Sequence, residues 1–140
     1  MEKIKFRVWD SVTGEMIYLP NDDYYPAFQV NGEFCIRYKG KQGGKFRRVG
    51  HVMQYTGLSD DRPAEIYEGD IVKLHYFYFD GGSECEGDIV GVINMCEWGV
   101  YVKDGTGRSY INKIDIADDG IHIMGNIYKN PDLLKEIFNV

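Results

Sequence analysis

Apolar and polar residues alternate with a period of two along much of this chain, which is the pattern of strands with one buried face. Ile4, Phe6 and Val8 alternate with basic residues, and a turn over residues 10–14 leads to an apolar return at 16–19. This pattern predicts an N-terminal β-hairpin. Residues 20–26 contain two prolines and predict a break, because proline cannot donate to a strand ladder. The Asn-Gly pair at 31–32 then predicts a second hairpin, with strands near 28–30 and 34–38.

The same pattern continues after residue 50, where short strands and tight turns follow one another. The predicted strands lie at 52–56, 71–79, 88–95, 98–103, 108–111, 113–116 and 121–125. Such a series predicts a mainly β fold, built from hairpins as a small rolled sheet or barrel. We predict two modules: residues 1–50, with a basic loop, and residues 51–140, which are barrel-like. At 140 residues the chain also suits one continuous domain.

One short helix is predicted at the C-terminal end. Asn130 is a favourable N-cap, and Pro131 follows where its missing N–H does no harm. The apolar residues 133, 134, 137 and 138 form a stripe on this helix. A helix of about two turns is marginal alone, so the stripe must dock on the sheet or on another subunit.

The five residues Glu-Gly-Asp-Ile-Val occur twice, at 68–72 and at 86–90. A duplicated acidic site for a hard cation is one interpretation. The spacing of acidic residues between the copies does not match a calcium loop, however. We therefore favour a structural interpretation, in which each copy is a turn leading into a strand and the two strands pair.

Composition narrows the class of protein. The chain is 44% hydrophobic and 14% aromatic, and its three cysteines cannot all pair internally. With no apolar leader and no apolar run of membrane length, we expect a cytoplasmic protein with reduced thiols and no membrane contact. The histidines and cysteines lack ligand spacing, and no catalytic motif occurs. We expect no enzymatic activity, no metal and no cofactor.

Charge is distributed unevenly. Residues 34–59 contain six basic residues and no acidic one, so with a net charge of −6 the remainder carries −12. The candidate contact residues are Arg37, Lys39, Lys41, Lys45, Arg47 and Arg48. They could follow a phosphate backbone, with Tyr38 and Phe46 as stacking faces. The overall pI near 5.0 disfavours nucleic acid, and a solvated hairpin facing an acidic surface is preferred.

Aromatic residues are concentrated at 76–79, in the order Tyr-Phe-Tyr-Phe. Since neighbouring residues of a strand point to opposite faces, one face of this run could form a stacking surface. Burial in the core or at an interface is the favoured interpretation.

Three phrases of the chain resemble the YopX family of phage and prophage proteins. They are Ile-Lys-Phe-Arg-Val-Trp-Asp at 4–10, the segments 53–58 and 66–72, and Gly-Asn-Ile-Tyr-Lys-Asn-Pro-Asp-Leu-Leu at 125–134. The resemblance implies a mainly β, partly SH3-like protein that forms homo-oligomers, with no established catalytic residues. We therefore expect a non-catalytic phage or prophage accessory protein that binds an unknown phage or host protein. Nucleic-acid binding through residues 37–48 is the alternative.

Overall fold

The computed structural model describes residues 5–28, 31–32, 34–38, 47–49, 52–113 and 115–139. Within these ranges the chain is mainly β, with one short α-helix, so the predicted fold class is confirmed. The strands are β1 Phe6–Asp10, β2 Glu15–Tyr18, β3 Tyr24–Phe28, β4 Phe34–Tyr38, β5 Arg47–Val49, β6 Val52–Ser59, β7 Glu65–Tyr67, β8 Asp70–Asp80, β9 Ser83–Cys96, β10 Gly99–Asp104, β11 Gly107–Tyr110 and β12 Asp115–Asn126. A single 3₁₀ turn, Ile111–Lys113, precedes β12, and helix α1 is Pro131–Phe138.

The chain divides into two compact units, Met1–Tyr55 and Thr56–Val140. Strand β6 passes from the first unit into the second. The predicted module boundary at residues 50 and 51 lies outside the described residues. Each unit has its own apolar cluster, because alternate residues of its strands point to one side.

In the first unit, β1 pairs with both β2 and β6, and β3, β4 and β5 form a three-stranded sheet. The predicted N-terminal hairpin and the pairing of β3 with β4 across residues 31–32 are both present. Strand β3 begins at Tyr24 and includes Pro26, so the predicted break over 20–26 is wrong at its C-terminal end. Proline is tolerated there because β3 lies at the edge of its sheet.

In the second unit, five antiparallel strands follow the order β11, β10, β9, β8 and β12. The buried core comes from β7 to β10 and consists of Ile66, Val72, Leu74, Ile93 and Val102. The pairing of β8 with β9 and of β10 with β11 agrees with the predicted hairpins.

Strand β12 differs from its prediction. Residues 117–120 were predicted to turn one strand into another, but Ile116 and Ile121 both pair with the same strand, β8. Their partners there are Tyr76 and Leu74. Between these two pairs the chain advances by five residues along β12 but by only two along β8. The extra residues form an irregularity of one continuous strand, as a β-bulge does.

The two strands that contain the Glu-Gly-Asp-Ile-Val copies pair as predicted, but the prediction that each copy is a turn leading into a strand is wrong for the second copy. Gly69 lies in a turn with a φ of 87°, and Asp70 accepts a hydrogen bond from the N–H of Tyr67. Gly87 lies within β9, directly opposite Tyr76. The second copy lies in the middle of β9, where its glycine makes room for the Tyr76 ring, which a β-carbon would approach to 2.8 Å.

Helix α1 has a half-buried apolar stripe, and its C-terminal end lies against the β10–β11 turn. A β-carbon at Gly105 would lie 3.0 Å from the carbonyl oxygen of Ile137. The Asn130 side chain does not cap the helix, contrary to prediction, because its Oδ1 accepts a hydrogen bond from the N–H of Asn126. None of the described helices is long and apolar enough to cross a membrane.

Candidate interaction surface

The hairpin of β8 and β9 continues past the strands that flank it. Strand β12 pairs with β8 only as far as Phe77, and β10 pairs with β9 only from Val92 onward. We call residues 75–88, from the His75–Asp88 pair to the turn, the hairpin arm. Its outermost part is therefore a two-stranded ribbon, with no other described strand beside it.

A two-residue turn ends the arm. Gly81 and Gly82 both have positive φ, 59° and 82°, and pairing resumes at Asp80 and Ser83 on either side. Positive φ at both central residues characterises the type I′ turn, whose twist matches that of antiparallel strands. This turn fixes the register of the arm, and with it the face on which each side chain lies.

Aromatic residues are exposed near this turn. Val72 and Leu74 point into the core, so by alternation Tyr76 and Tyr78 share their face while Phe77 and Phe79 lie on the opposite one. The Phe79 side chain is 71% exposed and Tyr78 is 43% exposed. The prediction that the aromatic run is buried in the core is therefore wrong for Tyr78 and Phe79. Their burial at an interface stays a prediction.

Carboxylates face the aromatic residues on the outer side of the arm. Glu84 lies directly opposite Phe79, Glu86 opposite Phe77, and Asp88 opposite His75. All three acidic residues are exposed. The outer face therefore combines two phenylalanine rings with three negative charges.

Two of these charges have local partners. Asp88 Oδ1 lies 2.8 Å from His75 Nδ1, Asp88 Oδ2 lies 3.9 Å from Lys73 Nζ, and Glu86 lies 3.7 Å from His75 Nε2. The hydrogen bond with Asp88 is the main cause that raises the pKa of His75, and the same bond lowers the pKa of Asp88. Such exposed pairs add little to stability. Among the described residues Glu84 has no ion pair on this face, and Glu86 has only the 3.7 Å contact with His75.

The basic segment is only partly described. Arg37 lies in β4, Arg47 and Arg48 lie in β5, and Lys39, Lys41 and Lys45 lie outside the described residues. Arg37 is directly opposite Arg48 in the register of β4 and β5. The buried Nε of Arg37 has no acceptor among the described residues.

Comparison with known proteins identifies the family. A family model described as YopX protein matches residues 5–135. The chain belongs to the YopX family. This confirms the resemblance found from the three sequence phrases. No curated protein matches the chain.

Two solved structures show the same fold as this YopX-family chain. Protein yopX from Bacillus subtilis is 19% identical, with a TM-score of 0.57, and the match covers 96% of this chain and 97% of that one. Protein EF1440 from Enterococcus faecalis is 22% identical, with a TM-score of 0.58 and coverage of 96% and 99%. At this level of identity the similarity supports the fold and leaves the function to be argued from the chain itself.

Sequence spacing missed a cluster in this YopX-family chain, because its members lie far apart in sequence. Asp60, Asp61 and His122 offer ligand atoms within 4.8 Å of one another. Asp60, however, accepts hydrogen bonds from the N–H groups of Arg62, Ala64 and Ile123 and from the Arg62 guanidinium. Its lone pairs are in use, so Asp60 is a structural residue and we assign no metal to the cluster.

A second unforeseen cluster surrounds Cys96. Its sulfur lies 3.5 Å from the Tyr110 hydroxyl and accepts a hydrogen bond from the N–H of Trp98 at 3.4 Å. These contacts, with a smaller contribution from the charge of Arg108, lower the pKa of the Cys96 thiol. Sequence reasoning found no basic group near this cysteine because Arg108 approaches it only through the pairing of β9, β10 and β11.

Proposed function

We propose that this YopX-family chain is a non-catalytic accessory protein of a phage or prophage that acts in the cytoplasm of the bacterial host. In this proposal it forms homo-oligomers and binds a further protein through the hairpin arm. The observation that carries the proposal is the exposure of Phe79 and Tyr78 at the end of a preformed ribbon. Aromatic side chains of this kind are enriched at protein interfaces.

The energetics favour a contact at this position. Burying the exposed part of Phe79 would contribute roughly 1–2 kcal/mol to binding. The ring sits on a strand whose register is fixed by the Gly81–Gly82 turn, so little conformational freedom is lost when a partner binds. A rigid aromatic residue in a fixed position is a typical interface anchor.

The placement of the ionisable groups supports a non-catalytic role. The His75–Asp88 and His122–Asp61 pairs are exposed on strand surfaces, where water weakens any effect of their charges. In the first unit, a cavity of about 350 Å³ has a mainly apolar lining. Its lining residues are Lys5, Phe6, Leu19, Pro20, Asn21, Tyr24 and Pro26. General acid–base chemistry needs a titrating group in reach of a bound substrate, and neither arrangement combines the two.

Site-specific photocrosslinking tests the arm as an interface. A photoreactive phenylalanine analogue is placed at position 79 in one variant and at Val12 in another, since Val12 is an apolar residue of similar exposure, 73%. In host cells carrying the prophage, we expect adducts of defined mass from position 79 and none above background from position 12. The mass of each adduct shows whether the partner is a second copy or another protein. Equal crosslinking at both positions, or none at position 79, would contradict the proposal.

Nucleic-acid binding is the alternative, and the register of Arg37 opposite Arg48 is the observation that favours it. Two like charges placed opposite each other in a sheet are unfavourable unless an anion lies between them. We nevertheless expect no binding of single- or double-stranded DNA at about 50 mM salt, because the chain carries a net charge of −6. Binding that weakens with salt and is lost in the Arg47→Ala, Arg48→Ala double variant would establish the alternative.

A further inference from the structure

We infer that the outer edge of β9 over residues 83–89, which covers the β9 strand of the hairpin arm and one residue beyond it, accepts an added β-strand from a partner protein, and that this strand is basic at every second position. The inference rests on the proposed function and names the class of partner segment. The occupant is a segment of another protein with Lys or Arg alternating with apolar residues.

The edge itself is the first observation. On one side, Ser83 to Ile89 pair with β8, while on the other side β10 begins its pairing only at Val92. Over the part of the chain that the structure describes, no strand pairs with this outer side. An unpaired edge presents backbone N–H and C=O groups in the spacing that an added strand needs. Addition of a partner strand to such an edge is a recurrent mode of peptide recognition.

Charge decides which strand fits. Glu84, Glu86 and Asp88 are alternate residues, so their side chains lie on the same face of the edge strand. An added strand places its own alternate residues directly beside them, at the distance at which opposite charges attract and like charges repel. Lys73 and His75 already contact Asp88, and His75 also lies 3.7 Å from Glu86, so Glu84 contributes most of the preference for a basic strand and Glu86 contributes the next largest part.

The aromatic residues strengthen the same preference. Phe77 and Phe79 lie on the same outer face as the three carboxylates. These rings are on β8, about 10 Å from an added strand. A long Lys or Arg side chain that extends across β9 could reach a ring, and a cation–π contact would then add to the ion pair. On the opposite face, Cys85, Gly87 and Ile89 are half-buried and uncharged, so apolar residues fit between the basic ones.

The same charges disfavour other occupants. A second copy that paired through the same edge would bring its own Glu84, Glu86 and Asp88 beside those of the first copy, and like charges opposite one another destabilise a sheet. Nucleic acid would place phosphates beside these carboxylates. A basic strand of a different protein is the occupant that the charges favour.

A peptide titration tests the inference on the complete chain. The probe is a capped nine-residue peptide in which lysine alternates with valine, and an acidic peptide with glutamate in place of lysine serves as its counterpart. With the lysine peptide, we expect backbone amide shifts in nuclear magnetic resonance spectra that concentrate at residues 83–89. The affinity should fall severalfold between about 50 and 300 mM salt, since the ion pairs are exposed. Shifts centred elsewhere, or equal binding of the acidic peptide, would overturn the inference.

Two variants and two modified peptides separate strand addition from simple charge attraction. Glu84→Lys with Glu86→Lys should abolish binding, whereas Glu97→Lys, an exposed acidic residue in the turn after β9, should leave the affinity within twofold. N-methylation of alternate peptide amides removes the hydrogens on one edge of the added strand. Methylation in one alternate set should abolish binding, and methylation in the other set should not. Equal effects of the two sets would overturn the inference. Unchanged circular dichroism spectra confirm that each protein variant is folded.

The outcomes also separate this inference from the function it rests on. Adducts at position 79 without peptide binding at residues 83–89 would reject the basic strand and leave the arm as an interface. If neither adducts at position 79 nor peptide binding at residues 83–89 were found, the proposal that the arm is an interface would be rejected as well.

Discussion

Replacing Asp60 by alanine should lower the free energy of unfolding by about 3 kcal/mol, because three partly buried hydrogen bonds to backbone N–H groups then lose their acceptor. The Asp60 side chain is fully buried, and its two oxygens accept hydrogen bonds from the N–H groups of Arg62, Ala64 and Ile123 at 2.9, 2.9 and 3.3 Å. The bonds from Arg62 and Ala64 shape the loop after β6, and the bond from Ile123 holds this loop to β12. Urea denaturation at neutral pH measures the loss.

The neighbouring Asp61 provides the matched control. It is partly exposed, and its carboxylate contacts only side chains of the described residues, His122 at 3.0 Å and Arg62 at 3.8 Å. Asp61→Ala should therefore cost less than about 1 kcal/mol, as expected for an exposed pair. Equal losses in the two variants would show that the Asp60 hydrogen bonds do not hold this loop.

Acid should reduce the difference between wild type and Asp60→Ala. Burial alone would raise the pKa of Asp60, but the N–H donors of Ala64, Arg62 and Ile123 outweigh it and lower the pKa below 3.8. A carboxyl group whose pKa is lowered by folding stabilises the protein above its unfolded pKa, and this contribution disappears as pH falls through the folded value. The part of the difference that depends on charge should be complete at pH 7 and should shrink below about pH 4.

Replacing Gly91 by alanine should cost about 3 kcal/mol, because the added β-carbon meets backbone rather than a movable side chain. It would lie 2.5 Å from the carbonyl oxygen of Lys103 and 2.6 Å from Cγ1 of Val102. Gly91 is buried, and Val102 is 1% exposed, so β10 would have to move away from β9. The thermal midpoint and the urea midpoint should both fall.

Gly87→Ala is the comparison on the same strand. Its β-carbon would approach the Tyr76 ring to 2.8 Å, but that ring is only half-buried and can rotate away. The cost should be about 1 kcal/mol. If Gly87→Ala destabilised the chain as much as Gly91→Ala, the distinction between a rigid backbone and a movable ring would fail.

Local turn chemistry made much of the fold predictable from sequence. The hairpins at residues 6–18, 70–96 and 99–110 follow from glycine-containing turns between alternating strands, and their pairings are present. The prediction failed at residues 117–120, where the same turn-forming composition lies inside β12. Both sides of that segment pair with β8, and such long-range pairing overrides a local preference for a turn.

The candidate surface was less predictable. The sequence identified the aromatic run but not its exposure, because exposure depends on where β10 and β12 stop pairing along β8 and β9. The sequence also did not predict that the carboxylates of Glu86 and Asp88 lie on the outer face of the arm. Both belong to the second Glu-Gly-Asp-Ile-Val, which is identical in sequence to the first and was therefore predicted to have the same structure. The Asp60 cluster could not be found by spacing, because His122 lies 61 residues after Asp61.

The hydrogen bonds between β12 and the loop after β6 join distant parts of the chain, so we expect them to form later than the β8–β9 ribbon. The β8–β9 ribbon closes over a two-residue turn, so it can form quickly and at small entropic cost. The Arg62 guanidinium, in contrast, bonds the carbonyl oxygen of Ile123, 61 residues later. Contacts of such sequence separation form late and slow the overall rate. During synthesis on a ribosome, the ribbon and its aromatic end would therefore be complete before the last strand arrives to close the sheet.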